Sequence, residues 1–265
     1  MLYVDHLKIH FHSAAPERFA VNDISFHIAP GEILGLVGES GSGKSVTAMS
    51  IAGLLPYHKL DYSGSVRLRD HELLGLPPKD MSRILGREIG IVFQEPMSSL
   101  NPLMKIGPQV EESLRIHTKL SPTERRVKAL TAMAEADLPT PELLYDRYPH
   151  EFSGGMLQRV MIAAAIIGSP GLLLADEPTT ALDVTIQGQI LELLRHINKT
   201  KGTSILFISH DLKIVRKLCH RVIVMKRGHI VEAGTADEVF YHPAHEYTKH
   251  LIACIPSRDK RILIS

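Results

Sequence analysis

Gly38-Glu39-Ser40-Gly41-Ser42-Gly43-Lys44-Ser45 stands between the apolar run Ile33-Leu34-Gly35-Leu36-Val37 and Val46 to Leu55, whose alanine, methionine and leucine content suits a helix. Strand, glycine loop, helix is the order in which G-x-x-x-x-G-K-[ST] reads as a phosphate cradle. Gly38, Gly41 and Gly43 let the backbone N–H groups of residues 38 to 43 curl around an anion with no side chain in the way. The helix that follows aims its positive dipole end at the same point. Lys44 then binds the β- and γ-phosphates of a nucleoside triphosphate, and Ser45 supplies a hydroxyl to Mg²⁺.

Working outward, residues 2–12 and 19–29 each read as a strand, with Val4, His6, Lys8 and His10 alternating against Leu7, Ile9 and Phe11. Pro16 marks the turn between them, and Pro30-Gly31 delivers the strand that carries the loop. Gly64 to Asp70 reads as a further strand, Pro78 to Leu85 as a short helix and Ile89 to Phe93 as a buried strand. From Glu95 to about Pro149 helical periodicity dominates, as in Gln109 to His117 and in Thr123 to Ala136 behind the cap pair Ser121-Pro122. This is a helical insertion. Strand and helix alternate again from Gly154–Gly168, through Leu172–Ala175, Ile186–Lys201, Ser204–Ser209 and Asp211–Leu218, to short strands at Arg221–Lys226 and His229–Ala233 joined through Gly228. Such alternation implies an α/β fold with a mainly parallel sheet.

A phosphate loop in such a sheet needs an acid to hold magnesium. Leu172-Leu173-Leu174-Ala175-Asp176 offers Asp176 at a buried strand end, where it reaches the metal through its water shell. Glu177 beside it is the candidate to orient and polarise the attacking water. Gln94 follows the strand Ile89–Phe93 and can set its amide near metal and water, and His210 follows Ser204–Ser209 and can donate to the γ-phosphate. Phe152-Ser153-Gly154-Gly155-Met156-Leu157-Gln158-Arg159 opens an Ala/Ile-rich helix, so Ser153, Gly154 and Gly155 read either as a helix cap or as a second anion-ready helix N-terminus.

Composition bounds the rest. The chain has 265 residues and 44% hydrophobic content, enough for one large α/β domain or two small ones with a real core. A formal net charge of +1 draws the surface as a whole neither to nucleic acid nor to anionic lipid. Cys219 and Cys254 lack metal-type spacing and suit a reducing compartment. Met1 to His10 carries no signal-peptide pattern, and the most apolar stretch, Val160 to Ile167, is far short of the roughly 18 to 20 residues that cross a bilayer. Work at a membrane would need other chains to provide the span.

Together these residues resemble the nucleotide-binding subunit of ATP-binding cassette transporters over essentially the whole chain. The order is phosphate loop, glutamine loop at Gln94, signature at Ser153-Gly154-Gly155, Walker B at Asp176 with Glu177, Ala181-Leu182-Asp183, and the switch histidine His210. The resemblance implies a P-loop NTPase (RecA-like) fold over residues 1–265. It adds an N-terminal antiparallel β subdomain, a helical subdomain at about 95–170 and a C-terminal extension at about 235–265. It implies ATP and Mg²⁺ as ligands, with Ser45, Gln94 and Asp176 at the metal, and ATP hydrolysis by Glu177, His210 and Gln94. It implies a head-to-tail dimer with a sister cassette, in which ATP on Lys44 of one subunit is closed by the signature helix of the other. Two permease subunits and, indirectly, an extracytoplasmic solute-binding protein complete the assembly at the cytoplasmic face of the inner or plasma membrane. An adenine-stacking aromatic is implied just upstream of the loop, where Phe11 fits best and Phe19 lies nearby across the turn.

Gln94-Glu95-Pro96-Met97-Ser98-Ser99-Leu100-Asn101-Pro102, then Ile106-Gly107, and His242-Pro243-Ala244-His245-Glu246-Tyr247-Thr248 look like the oligopeptide, dipeptide and nickel importer branch. Met156 stands where the general signature has glutamine, which removes a hydrogen-bonding side chain there. The stop soon after Pro256 looks more like nickel or metal-chelate importers, and the 15 histidines lean the same way. The other reading is a soluble cassette ATPase acting on DNA or ribosomes. Such proteins carry long coiled-coil insertions or paired cassettes with basic surfaces, and this chain has one cassette, no heptad run and near-neutral charge.

Overall fold

Val4 and Leu7 are both buried although strict alternation would put them on opposite faces, and a bulge in the first strand is the cause. The computed structural model describes residues 1–15, 17–180 and 182–255, so Pro16, Ala181 and the tail from Pro256 lie outside the described residues. Strand β1 (Leu2–Phe11) pairs antiparallel with β2 (Val21–Ile28) and with β4 (Leu60–Leu68). Its register against β4 slips by one between Asp5 and Lys8, and His6 takes a φ of 50°. The slip moves Val4 from the polar set, where simple alternation put it, to the core beside Leu2, Leu7 and Ile9.

Gly64 lies opposite that bulge at φ 100°, where a Cβ would come within 2.6 Å of the Asp5 carbonyl oxygen. The glycine therefore sits mid-strand, and β4 begins at Leu60 rather than at Gly64 as expected. The short β5 (His71–Glu72) completes this sheet in the order β2-β1-β4-β5. Between β2 and β4, the fully buried β3 (Ile33–Val37) leads through the glycine loop into helix α1 (Lys44–Ile51). That helix stops short of the expected Leu55. Gly53 at φ 62° accepts the left-handed turn, and the Leu54 N–H reaches back to the Met49 carbonyl at 2.9 Å.

The described chain forms two compact units, Met1–Pro77 with the residues from Ser204 on, and Pro78–Thr203. The second unit begins with α2 (Pro78–Met81) and the strand β6 (Ile89–Val92), which runs parallel to β7 (Leu172–Asp176) with Ile89 opposite Leu172. Between them come α3 (Pro96–Ser99), α4 (Ile106–Val110), α5 (Glu112–His117), α6 (Pro122–Glu135), α7 (Pro141–Leu144) and α8 (Gly154–Ile166). No strand interrupts them among the described residues. Helix α6 starts on the expected cap: the Ser121 hydroxyl accepts from the Glu124 N–H, and the Glu124 carboxylate accepts from the Ser121 N–H at 2.7 Å.

The single helix expected over Gln109–His117 is instead two. The N–H groups of Ile106 and Gly107 donate to the Arg147 and Tyr145 carbonyls, while Ser113 and His117 bond to the Gly86 and Leu85 carbonyls. Two anchors override one period, and the helix breaks at Glu111. The interior of α8, with Leu157, Val160, Ile162 and Ile166 buried, forms much of this unit's core, each such side chain contributing about 1.5–3 kcal/mol. Helix α9 (Val184–Lys201) closes the unit, capped by Asp183 and ended by Gly202 at φ 66°.

Back in the first unit, β8 (Ser204–Ile208) runs parallel to β3, helix α10 (Leu212–Leu218) follows, and β9 (Arg221–Lys226) runs parallel to the other side of β3. Strand β10 (His229–Thr235) pairs antiparallel with β9 through Arg227 and Gly228, both at positive φ. The chain then forms α11 (Ala236–Tyr241), with a capping box between Thr235 and Glu238, and α12 (Glu246–Ala253). Neither helix was anticipated, although the Thr-x-x-Glu spacing at 235–238 was there to be read. No helix among the described residues is long and apolar enough to cross a membrane.

Candidate functional site

In the first unit, the loop Gly38–Gly43 curls between the end of β3 and α1. Gly38 has φ 153°, and a Cβ there would come within 2.7 Å of the Ser42 hydroxyl, so only glycine leaves the cradle open. Gly41 at φ 76° has no neighbour within 4 Å of its would-be Cβ and faces open space. Gly43 at φ 107° lies close under the Ala20 carbonyl. The loop is seated from below by the β9–β10 turn, where the Gly228 N–H donates to the Ser42 carbonyl at 2.9 Å.

Lys44 is 5% exposed, and its ammonium donates to the Gly38 and Glu39 carbonyls at 2.9 and 3.0 Å. A buried cation folded over the mouth of a glycine cradle is poised to turn toward phosphate oxygens. Ser42 adds the second sign of an anion site: its buried hydroxyl has no hydrogen-bond partner among the described residues. Ser45, in the first turn of α1, is half-buried with its hydroxyl at the same helix end. The cradle therefore fits a triphosphate.

Beside the loop lies a hollow of about 530 Å³ lined by Phe11, Phe19, Arg18, Gly41, Gly43 and Val46 among others. Both aromatics considered for the base line it, so the structure brings the two alternatives to one place. The Phe19 ring also packs against His10, with centroids 5.4 Å apart. His210, in the same unit, is exposed in the turn between β8 and α10. That turn is fixed on both sides, because the Asp211 N–H donates to the Ser209 hydroxyl at 3.0 Å and the Asp211 carboxylate accepts from the Lys213 N–H at 2.9 Å.

In the second unit, Asp176 ends β7, and Glu177 follows with φ 47°, a left-handed conformation that costs a non-glycine residue energy. The Glu177 carboxylate accepts from the Gln94 amide at 3.3 Å and from the Thr180 hydroxyl at 2.9 Å. Two residues 83 apart in sequence are thereby brought together, and Thr180 joins them. Thr180 was not anticipated, and its only sequence signal is a hydroxyl three residues past a carboxylate. Asp176 and Gln94 in this unit, like Ser45 in the first, each offer an oxygen donor of the kind magnesium takes.

At the start of α8, the Ser153 hydroxyl accepts from the Met156 N–H at 3.4 Å, which makes Ser153 the N-cap. Ser153 and Gly154 are exposed, and Gly155 packs so that a Cβ would lie 2.8 Å from Ile186. The cap and anion readings of this stretch are thus compatible, since a capped helix still presents its remaining N–H groups and dipole outward. Arg159, one turn on, is tied inward to the Ala136 carbonyl, Asp137 and Gln189.

Comparison with known proteins agrees with this geometry. A family model described as ABC transporter matches residues 21–180. The chain is 49% identical over 98% of its length to the "Peptidoglycan transport ATP-binding protein YejF" of Agrobacterium fabrum, of which it spans about half, 48%. It is 48% identical over 98% of its length to the "Oligopeptide transport ATP-binding protein OppD" of Bacillus subtilis, of which it spans 73%. Among solved structures, the dimeric post-hydrolysis state of the ATP-binding cassette MJ0796 bound to ADP and Pi superposes with a TM-score of 0.79 at 30% identity, covering 89% of this chain and 99% of that one.

Proposed function

The chain belongs to the ABC transporter family, and from that premise we propose that it is the ATP-hydrolysing subunit that energises a membrane importer of small peptides. The observation that carries the proposal is the loop itself: Lys44 buried over a cradle whose Ser42 hydroxyl lacks a partner among the described residues. The transport names of the relatives favour peptides over nickel or metal chelates as cargo and favour a transporter over a DNA- or ribosome-directed ATPase.

In this reading Gly38 to Gly43 and Lys44 hold the phosphates, and one of Phe11 and Phe19 stacks on adenine. Ser45, Asp176 and Gln94 would each offer an oxygen to Mg²⁺, and the ion would screen charge on the phosphates when bound. Glu177 orients water and takes up its proton at a carboxylate oxygen, held in place by Gln94 and Thr180. His210 donates toward the γ-phosphate. Ser153, Gly154 and Gly155 face the nucleotide of a sister cassette in a head-to-tail dimer, so that ATP joins two copies and its hydrolysis releases them.

Closure and release are transmitted to two permease subunits that alternate their access, with an extracytoplasmic binding protein delivering the cargo. The cassette is peripheral, on the cytoplasmic face of the membrane. The test is reconstitution of the purified complex in vesicles with labelled dipeptide or nickel chelate. ATP-dependent uptake of peptide, abolished by Glu177→Gln, is the expected result. Wild-type ATP turnover in the Glu177→Gln complex removes that residue from catalysis, and co-purification with ribosomes or DNA in place of permeases reverses the choice of class.

A further inference from the structure

The histidine- and tyrosine-bearing stretch near the C-terminus returns to the phosphate loop. Tyr247, near the start of α12, is 6% exposed, and its phenolic oxygen accepts a hydrogen bond from the Glu39 N–H at 3.2 Å. Glu39 is the second residue of the loop, 208 positions away in sequence. The carbonyl of the same residue accepts from Lys44 at 3.0 Å. Residue 39 is therefore held through its N–H by Tyr247 and through its carbonyl by the loop's own lysine.

The tyrosine is itself held on several sides. The Lys226 ammonium sits 4.5 Å from the centroid of its ring, and the Tyr247 N–H donates to His245 Nδ1 at 3.0 Å. The N–H groups of Ala244 and His245 both donate to Glu232 on β10, at 2.7 and 3.1 Å. Burial raises the phenol above its ordinary pKa, so the hydroxyl keeps its proton at neutral pH. Further along, Leu251 on α12 and Cys254 and Ile255 just beyond its end line a hollow of about 330 Å³ with His210. One short helix thus meets the loop at its start and the His210 turn at its end.

We propose that Tyr247 is a positioning residue of the phosphate loop, which fixes the Glu39 peptide and so keeps the cradle formed before nucleotide arrives. The proposal rests on the reading of the loop as an ATP site. A preformed loop loses less entropy when it binds, so removing the hydroxyl shows as weaker binding rather than as slower chemistry. A single hydrogen bond of this kind corresponds to about a three- to tenfold change in affinity.

The experiment compares the wild-type full chain with Tyr247→Phe and Lys44→Ala by calorimetric titration with Mg-ATP and by steady-state ATPase. Tyr247→Phe keeps the buried ring under Lys226 and removes only the hydroxyl. Expected is a Kd and a KM raised about three- to tenfold with kcat within twofold of wild type, a split that a general loss of fold would not produce. Wild-type Kd and KM in Tyr247→Phe, with binding lost in Lys44→Ala, overturn the role of Tyr247 alone. Unimpaired binding by Lys44→Ala overturns the nucleotide reading beneath it. Should Tyr247→Phe fail to fold, amide exchange of the wild-type chain without nucleotide decides: protection of the Glu39 N–H is expected, and exchange at the rate of an open loop overturns the proposal.

Discussion

Two helices in this chain begin in glycine-rich turns with a serine beside them, and the two beginnings differ. At α1 the preceding loop is half-buried, with Gly38, Ser42 and Gly43 inside and Glu39 to Gly41 exposed, Lys44 is buried over it, and the Ser42 hydroxyl has no partner among the described residues. At α8 the turn is exposed, no cation lies within Ser153–Met156, and the Ser153 hydroxyl is already engaged by the Met156 N–H. Both share the same dipole. What separates them is whether the chain supplies the rest of an anion site: the first end brings its own cation and an open hydroxyl, and the second, in the function proposed above, adds to a nucleotide held by another copy.

The hardest blow to that contrast is Lys44→Ala. With the one cation of the cradle gone, ATP affinity of the full chain should fall on the order of a hundredfold or more and turnover with it, read by calorimetry and phosphate release. If affinity held, the α1 end would be no more self-sufficient than the α8 end. Glu177→Gln separates binding from chemistry within the second unit. Turnover should fall about 10²- to 10³-fold while ATP affinity stays within twofold, and an ATP-bound dimer should accumulate, visible by size-exclusion chromatography.

Gly154→Asp sharpens the other side. A Cβ at Gly154 would lie 3.9 Å from Leu182, so the substitution is accommodated, but it sets a negative charge at an exposed helix start. ATP binding by the isolated chain should be unchanged, while ATP-driven dimerisation and the turnover of the assembled complex should drop roughly tenfold or more. A variant that weakened ATP binding by the single chain would show that the α8 end serves its own nucleotide.

The loop and β7 were legible because their signals are local: glycines, lysine and an apolar run within a few residues of one another. The Gln94–Glu177 contact was legible only as a pair of strand ends, and its 3.3 Å geometry depends on β6 and β7 lying parallel. What could not be read is what non-local packing decides. The bulge at Asp5–His6 reverses the faces of β1 and requires Gly64 on another strand, and opposed anchors split the helix at Glu111. Tyr247 belongs to the same class, since nothing around residue 247 announces a hydrogen bond to residue 39.

The finest test concerns the hollow beside the loop, where Phe11 and Phe19 both stand. Phe11 closes β1 and is held there by its pairing with Leu60 of β4, whereas Phe19 lies in the connection to β2 with its ring already against His10. A ring fixed by a sheet offers a base a ready surface, while a ring packed on another must give up that contact. Phe11→Ala should therefore weaken ATP binding about fivefold to tenfold, the lower end of the range of base stacking on an aromatic, and Phe19→Ala by less than about threefold. The reverse order in a fluorescence titration with an adenine-labelled nucleotide would assign the stacking to Phe19 and make the connection between β1 and β2, rather than the strand, the wall of the site.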